Sequence, residues 1–308
     1  MKSARTPLGL WQYFPESGMN LLDTDSRGED WRPLIVSIAV TGRCYKGCRF
    51  CYASSVKNGA SDWTYSELVD FIVDLDGNGV FSVTLGGGEP TLWKDQTARK
   101  TFYDLISELT ERVSLTLTFT TSGVPKLKLD EIPNIPVRLS CHHPGETDWV
   151  LRIAEDLRQR SDKVGINFLL WRSQLPRCRE SIHKFLDSGF DDILLLTMQP
   201  VGFGIDFAHE SLNEHETASF LKSLGINSLR LTACQKPPRP FVSTDMGCGA
   251  NDWFVSITEQ KLVKSCSFIE AGHPLEEPTY QALLKARANL LRLPCYRSFK
   301  ESELAKLY

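Results

Sequence analysis

The sequence predicts an α/β chain: a partial, TIM-like (β/α)6 barrel with a small α+β module at its C-terminal end. Three observations predict it. Strand-like apolar runs alternate with amphipathic helical segments six times between Leu34 and Thr197, the pattern of a parallel sheet covered by helices. Two chemically loaded motifs, one of cysteines and one of glycines, follow directly on the first two strands, at the strand ends where barrel chemistry gathers. Beyond Thr197 the alternation stops, and four of the nine cysteines fall after residue 233.

Residues 1–33 hold Pro7, Pro15 and Pro33 without sustained periodicity, and read as an extension lying over the barrel of residues 34–232. Leu34–Val40 is a nearly continuous apolar run, as expected of a parallel strand buried on both faces. Thr64-x-x-Glu67 reads as a capping box. It opens a helix with Leu68, Phe71, Ile72 and Leu75 on one face, ended by Gly77 and Gly79. Asp74–Gly79 imitates the first half of a calcium-binding loop, but Leu85 stands where a bidentate glutamate is required, so it reads as a turn. Val80–Leu85 is the second strand, followed by a helix carrying Phe102, Leu105, Ile106 and Leu109. Leu115–Thr120, Val137–Ser140, Val164–Leu170 and Asp192–Thr197 complete the strands, with helices around Val150–Leu157 and Ile182–Leu186 between them. Gly202-Phe-Gly204 is too short for a nucleotide fingerprint.

The 308 residues, 42% hydrophobic and 24% charged, describe an ordinary globular chain. No stretch approaches the roughly 20 apolar residues that span a bilayer. A net charge of −3 without a long basic run argues against a large nucleic-acid surface. The N-terminus lacks a secretion signal. The cysteines are therefore expected to serve metals in a reducing cytoplasm.

Gly42-Arg-Cys-Tyr-Lys-Gly-Cys-Arg-Phe-Cys-Tyr52 sets Cys44, Cys48 and Cys51 at C-x3-C-x2-C spacing. Iron–sulfur clusters are held by cysteine thiolates, usually four; three leave one iron of a cube open to a small molecule. Zinc could use the C-x2-C pair, but the nearest histidine is His142 and no such pair recurs. A disulfide framework suits small secreted chains better. The second strand runs into Leu85-Gly-Gly-Gly-Glu-Pro90. Together the motifs resemble the cluster loop and the glycine-glycine-glutamate motif of radical S-adenosylmethionine (SAM) enzymes.

Over about residues 34–200 the resemblance implies that Cys44, Cys48 and Cys51 hold a 4Fe–4S cluster whose fourth iron is chelated by SAM. SAM would then be cleaved reductively to a 5′-deoxyadenosyl radical that takes a hydrogen from substrate. A flavodoxin- or ferredoxin-type donor would supply the electron. Gly86, Gly87 and Gly88 would bring backbone carbonyls to SAM's ammonium, with Glu89 beside it and Pro90 stiffening the exit. Phe50 resembles the position whose backbone meets the adenine, with loop packing as the alternative. Ser140 and Asn167 match positions that hold SAM's methionine and ribose portions. The chain departs from the family in reading Ser140-Cys-His-His143 for Ser-Leu-Asp-Gly, and Thr121-Ser-Gly123 for Thr-Asn-Gly. His142 and His143 fall where substrate would sit, so His142 is a candidate to bind an acidic group or move a proton. Cys141 is a candidate hydrogen donor, against the plain alternative of a core thiol.

Cys234, Cys248, Cys266 and Cys295 are enough to saturate a further cluster. Residues 233–308, with a hairpin between Cys248 and Cys266 and an amphipathic helix near 278–292, resemble the auxiliary-cluster module of SPASM/twitch radical SAM enzymes. That implies a second, auxiliary 4Fe–4S cluster; core thiols or radical quenchers are the alternative. Lys261 stands where relatives usually have glycine. The expected function is hydrogen abstraction from a peptide of the ribosomally synthesised, modified kind, or from a small metabolite, giving oxidation, crosslinking or epimerisation. A nucleotide- or RNA-modifying radical SAM enzyme is the second reading, and a non-catalytic iron–sulfur or zinc module the third. No extra domain of about 80 residues for docking a leader peptide is evident, so a peptide would use the barrel surface, the N-terminal extension or a separate protein.

Overall fold

Three strands form where the sequence shows no periodicity: β1 (Lys2–Thr6), β2 (Gly9–Phe14) and β3 (Met19–Asp23) pair as an antiparallel meander. The computed structural model describes residues 1–16, 19–23, 25–28, 32–225, 230–231 and 249–290. Five- and six-residue strands carry too few alternations to stand out in sequence. Ala4, Trp11 and Tyr13 of the meander close a small core with Leu34 and Phe81. Tyr13 stacks on Phe81 at 5.4 Å, and its hydroxyl meets Thr116 Oγ1 at 2.5 Å. The extension thus caps the strand ends opposite the two motifs.

The main chain order is β4 (Ile35–Thr41), α1 (Tyr65–Gly77), β5 (Ser82–Gly87), a short ladder of β6 (Lys94–Asp95) and β7 (Lys100–Thr101), then α2 (Phe102–Arg112). It continues through β8 (Thr116–Thr121), β9 (Val137–Cys141), α3 (Thr147–Arg158), β10 (Val164–Leu170), α4 (Leu175–Asp187), β11 (Ile193–Thr197) and α5 (Glu214–Leu224). Last come β12 (Arg230–Leu231), β13 (Phe254–Ile257), β14 (Leu262–Lys264), β15 (His273–Pro274) and α6 (Tyr280–Ala288). One sheet runs β12–β11–β10–β9–β8–β5–β4–β13–β14–β15. The six strands read from the sequence are its middle, adjacent in chain order and all parallel.

The described C-terminal strands join this same sheet. β13 pairs parallel with β4, Phe254 opposite Ile35 through Ile257 opposite Ile38, and the hairpin to β14 is antiparallel. Lys261 in its turn has φ +59, a conformation that favours glycine. Its ammonium meets Glu67 at 2.6 Å and lies 5.4 Å over the Trp63 ring, which explains why a lysine stands there. Glu67 also closes the capping box with Thr64. Asp74 of the calcium-like run accepts from Asn78 Nδ2 and the Tyr280 amide, so the run ends a helix and anchors α6.

The barrel strands have two unlike faces. Val36, Ile38, Val40, Val83, Leu85, Leu117 and Phe119 pack in the core shared with the helices. Alternate residues Ser37, Thr84, Thr118, Thr120, Arg138, Ser140 and Asn167 line the interior, as a period of two requires. Leu34–Val40, read as buried on both faces, is fully buried only toward the helices; Ile35, Ser37 and Ala39 on the inner side are half-buried. A small, polar inner face leaves the barrel hollow.

Candidate functional site

At the C-terminal ends of β4, β5, β8, β9, β10 and β11 the interior opens into a cavity of about 290 Å³. Cys44, Cys48 and Cys51 share it with Gly86, Gly87, Gly88, Ser140 and Asn167. A larger cavity of about 530 Å³ lies at the opposite end, under the meander and remote from both motifs.

The cysteine loop is held by its own backbone. Gly42 N donates to Ala60 O, Cys44 N to Val56 O and Val56 N to Gly42 O, at 2.8–3.2 Å. Gly59 allows this closure, since a Cβ there would lie 2.1 Å from Gly42 O. Two more bonds tie the loop to the glycine motif: Gly88 N to Thr41 O and Glu89 N to Arg43 O, both 2.7 Å. All three thiols are free. Burial, the largest effect on each, raises the Cys44 thiol and pushes Cys48 up to about 12. Thiols so placed stay protonated unless a cation draws the proton off, which iron does. No three metal-binding side chains among the described residues gather closely enough for a single ion; a cube, taking one thiolate per iron, does not require that.

The three glycines have different reasons. Gly87 has φ +115, and a Cβ there would lie 2.4 Å from Thr41 O; at Gly88 it would lie 2.3 Å from Arg43 O. Both are demanded by the protein's own backbone. A Cβ on Gly86 would meet nothing within 4 Å. Its empty side faces the cavity, as a backbone kept bare for a ligand would. The residues present thus fit a cluster and SAM.

Glu89 has another task than the one expected for it. It is 1% exposed and is not part of the cavity wall. Its carboxylate accepts from Thr91 Oγ1 (2.8 Å), Thr121 Oγ1 (2.6 Å), Ser122 N (2.8 Å) and Ser122 Oγ (2.7 Å). Four donors saturate its lone pairs, leaving none for an ammonium. Glu89 instead clamps the glycine loop to the end of β8, and Thr121-Ser122 supplies the donors.

Ser140 and Asn167 sit side by side in register on β9 and β10 and line the cavity. Cys141 does not reach it. The residue after an inward Ser140 must point outward; Cys141 is fully buried, donates weakly to His143 O at 3.4 Å, and burial pushes its pKa up to about 12. His142 is inward, with Nδ1 3.8 Å from Cys48 Sγ and its amide donating to Glu146. Burial and the nearby Lys46 lower it to about 4 against the pull of Glu146, so it is neutral near pH 7. His143 turns away and accepts from the Gly145 amide. The Phe50 ring packs edge-on against Trp171 at 4.9 Å and against Phe207 at 6.0 Å.

Sequence reasoning missed Lys46, which pairs with Glu146 at 2.9 Å on the cavity wall, and also Tyr52, Gln199 and Phe268. It also passed over the use of Gly202 and Gly204. They let the segment after β11 close on the cysteine loop, where Phe203 N donates to Cys51 O at 3.0 Å. The available signal was position, just beyond a strand end. Cys266 is buried at the end of β14, while Cys234, Cys248 and Cys295 lie outside the described residues.

Residues 38–168 match the Radical SAM superfamily. A probable GTP 3′,8-cyclase of Sulfurisphaera tokodaii is 26% identical over 184 residues, 54% of this chain and 56% of that one. The mycofactocin maturase MftC of Mycobacterium tuberculosis is 31% identical over 104 residues, 34% of this chain and 25% of that one. The alignments thus span little more than half the first of these curated relatives and a quarter of the second. In fold, the chain resembles Streptococcus suis SuiB bound to precursor peptide SuiA, with a TM-score of 0.65 and 15% identity over 82% of this chain and 64% of that one. It also resembles anSMEcpe with bound AdoMet, with a TM-score of 0.61 and 15% identity over 89% and 86%. At 15% identity these are likenesses of fold.

Proposed function

We propose, from the premise that this chain belongs to the radical SAM superfamily, that it is a radical SAM enzyme acting on a peptide. The observation that carries the reading is one cavity shared by three free thiols and the bare side of Gly86. Cys44, Cys48 and Cys51 hold the 4Fe–4S cluster, while Gly86, Ser140 and Asn167 face SAM. With both bound, the site supplies a 5′-deoxyadenosyl radical able to take hydrogen from an unactivated C–H bond. The protein's own work is to hold SAM in one pose and keep water out. Phe50 lines one side, its ring braced by Trp171 and Phe207.

Support for a peptide comes from fold neighbours solved with precursor peptide SuiA and with the Cp18Cys peptide. It comes also from the exposed Tyr45, Tyr52 and Val56 of the cysteine loop and Phe203 and Ile205 of the segment bonded to it. Such a rim suits apolar side chains of a docked polypeptide. No helix among the described residues is long and apolar enough to cross a membrane. The reading extends to a flavodoxin- or ferredoxin-type donor, a cytoplasmic setting, and an auxiliary cluster on Cys234, Cys248, Cys266 and Cys295. It keeps three regions, residues 1–33, 34–232 and 233–308. A nucleotide-modifying enzyme is the second reading, favoured by the similarity to the GTP cyclase.

Anaerobic reconstitution with iron and sulfide, followed by dithionite and SAM, tests the proposal. The expected product is 5′-deoxyadenosine, formed slowly without substrate and lost when Cys44, Cys48 and Cys51 are all replaced by alanine. About eight irons falling to about four in that variant supports two cubes, whereas four falling to none removes the auxiliary cluster. Tightly bound zinc, or S-adenosylhomocysteine alone, overturns the radical reading. Turnover of GTP in place of a peptide selects the second reading.

A further inference from the structure

Arg138 carries a charge into the interior of the barrel, on the same face of β9 as Ser140. Its guanidinium donates from Nε to Asn167 Oδ1 at 2.7 Å, from Nη1 to Asp192 Oδ2 at 2.8 Å, and from Nη2 to Ile166 O at 3.3 Å. Asp192 offsets the charge that burial would otherwise leave uncompensated. Gly165 makes the room: a Cβ there would lie 2.5 Å from Arg138 Nη1 and 2.9 Å from Asp192 Oδ2. Three strands therefore contribute to one arrangement, with Arg138 from β9, Gly165 and Asn167 from β10, and Asp192 immediately before β11.

A guanidinium has donors only, so the Asn167 atom facing it must be the carbonyl oxygen. That removes the usual ambiguity between the two ends of an amide. The Asn167 Nδ2 then points away from Arg138 and has no protein acceptor among the described residues. Asn167 is 9% exposed and lines the cavity with Ser140.

We infer that Arg138, paired with Asp192 and admitted by Gly165, is a positioning residue that locks Asn167 as a hydrogen-bond donor toward the cavity. The site therefore selects an acceptor on its ligand at this point, which in SAM is a carboxylate or ribose oxygen. This rests on the proposal that the cavity binds SAM. Arg138 acts from behind Asn167. Without it the amide is free to present its carbonyl, which repels the same acceptor.

The test uses the full-length, cluster-loaded protein, with the SAM dissociation constant read by equilibrium dialysis and iron content and Tm recorded for each variant. Loss of one well-oriented hydrogen bond to the ligand, about 1.4 kcal/mol, weakens binding about tenfold, and that is the rise in Kd expected for Arg138→Met. Gly165→Ala removes no polar group, yet should raise Kd several-fold by displacing the guanidinium. Arg138→Lys, which retains a single point donor, should fall between wild type and Arg138→Met. In an Asn167→Ala background, Arg138→Met should add less than a twofold change. Arg138→Met/Asp192→Asn leaves no uncompensated carboxylate and repeats the test should the single variant not fold. Unchanged Kd in both methionine variants, or multiplicative effects in the alanine background, overturns the lock and leaves SAM binding standing. A wild type that binds iron but no SAM overturns the lock and the SAM proposal together.

Discussion

Replacing Glu89 separates two roles for the same carboxylate. The structure gives it four donors from Thr91, Thr121 and Ser122, one of them a backbone amide. Hydrogen bonds to a charged group contribute about 1.5–3 kcal/mol each, but three of these donors are hydroxyls that can turn elsewhere. Glu89→Ala therefore costs the stranded Ser122 amide, the clamp and a cavity, about 3–5 kcal/mol in all. Glu89→Gln keeps the shape. Its carbonyl can serve Ser122, and its NH2 can donate to threonine hydroxyls that rotate to accept, so the loss is about 1–2 kcal/mol. At about 2 °C per kcal/mol for a chain of this size, thermal denaturation of the loaded protein should show a drop of about 6–10 °C for alanine and a few degrees for glutamine. SAM affinity of the glutamine variant should stay within about threefold of wild type, because neither oxygen faces the ligand. Were Glu89 an anionic partner for SAM's ammonium, the pattern would invert, with unchanged Tm and SAM binding weaker by tenfold or more. That result would refute the clamp.

The glycines should divide in the same way. Gly87→Ala and Gly88→Ala should destabilise by at least about 2 kcal/mol because each Cβ meets a backbone oxygen, whereas Gly86→Ala should keep its Tm and weaken SAM binding. Lys261→Gly loses a partly exposed ion pair but relieves a left-handed backbone, so its Tm should move by no more than about 2 °C. Asp76 is raised by burial but lowered more by Lys2 and Ser114, and lies below its ordinary value. Its stabilising contribution is present above about pH 4 and lost as pH falls through the folded pKa. Asp76→Asn should lower Tm at pH 7 and flatten the decline of Tm with acid; an unchanged acid limb contradicts the assignment.

The strand–helix alternation, the Thr64 capping box and both motifs were legible in the sequence because each is local. A helix face repeats within four residues, and three cysteines of one loop stay together however the chain folds. The same locality explains the misreading of Leu34–Val40. Its inner-side residues Ile35, Ser37 and Ala39 are apolar or small rather than charged, and only neighbouring strands bearing Thr84, Thr118 and Ser140 show that Ile35 and Ser37 line a hollow interior. The burial of Cys141 followed from strand parity once Ser140 was taken as inward, and needed no coordinates. Glu89 could not be resolved from its motif, since its four donors come from residues up to 33 positions away, and hydrogen-bond saturation is a property of the packed site. Arg138 gave no signal either, because nothing along the chain announces that Gly165, Asn167 and Asp192 converge on it. Adjacent parallel strands bring residues tens of positions apart within a few ångströms. The identity of the chemistry could therefore be read from spacing, while which side chains face the ligand and which brace them was decided by strand register and the inward turn of alternate residues.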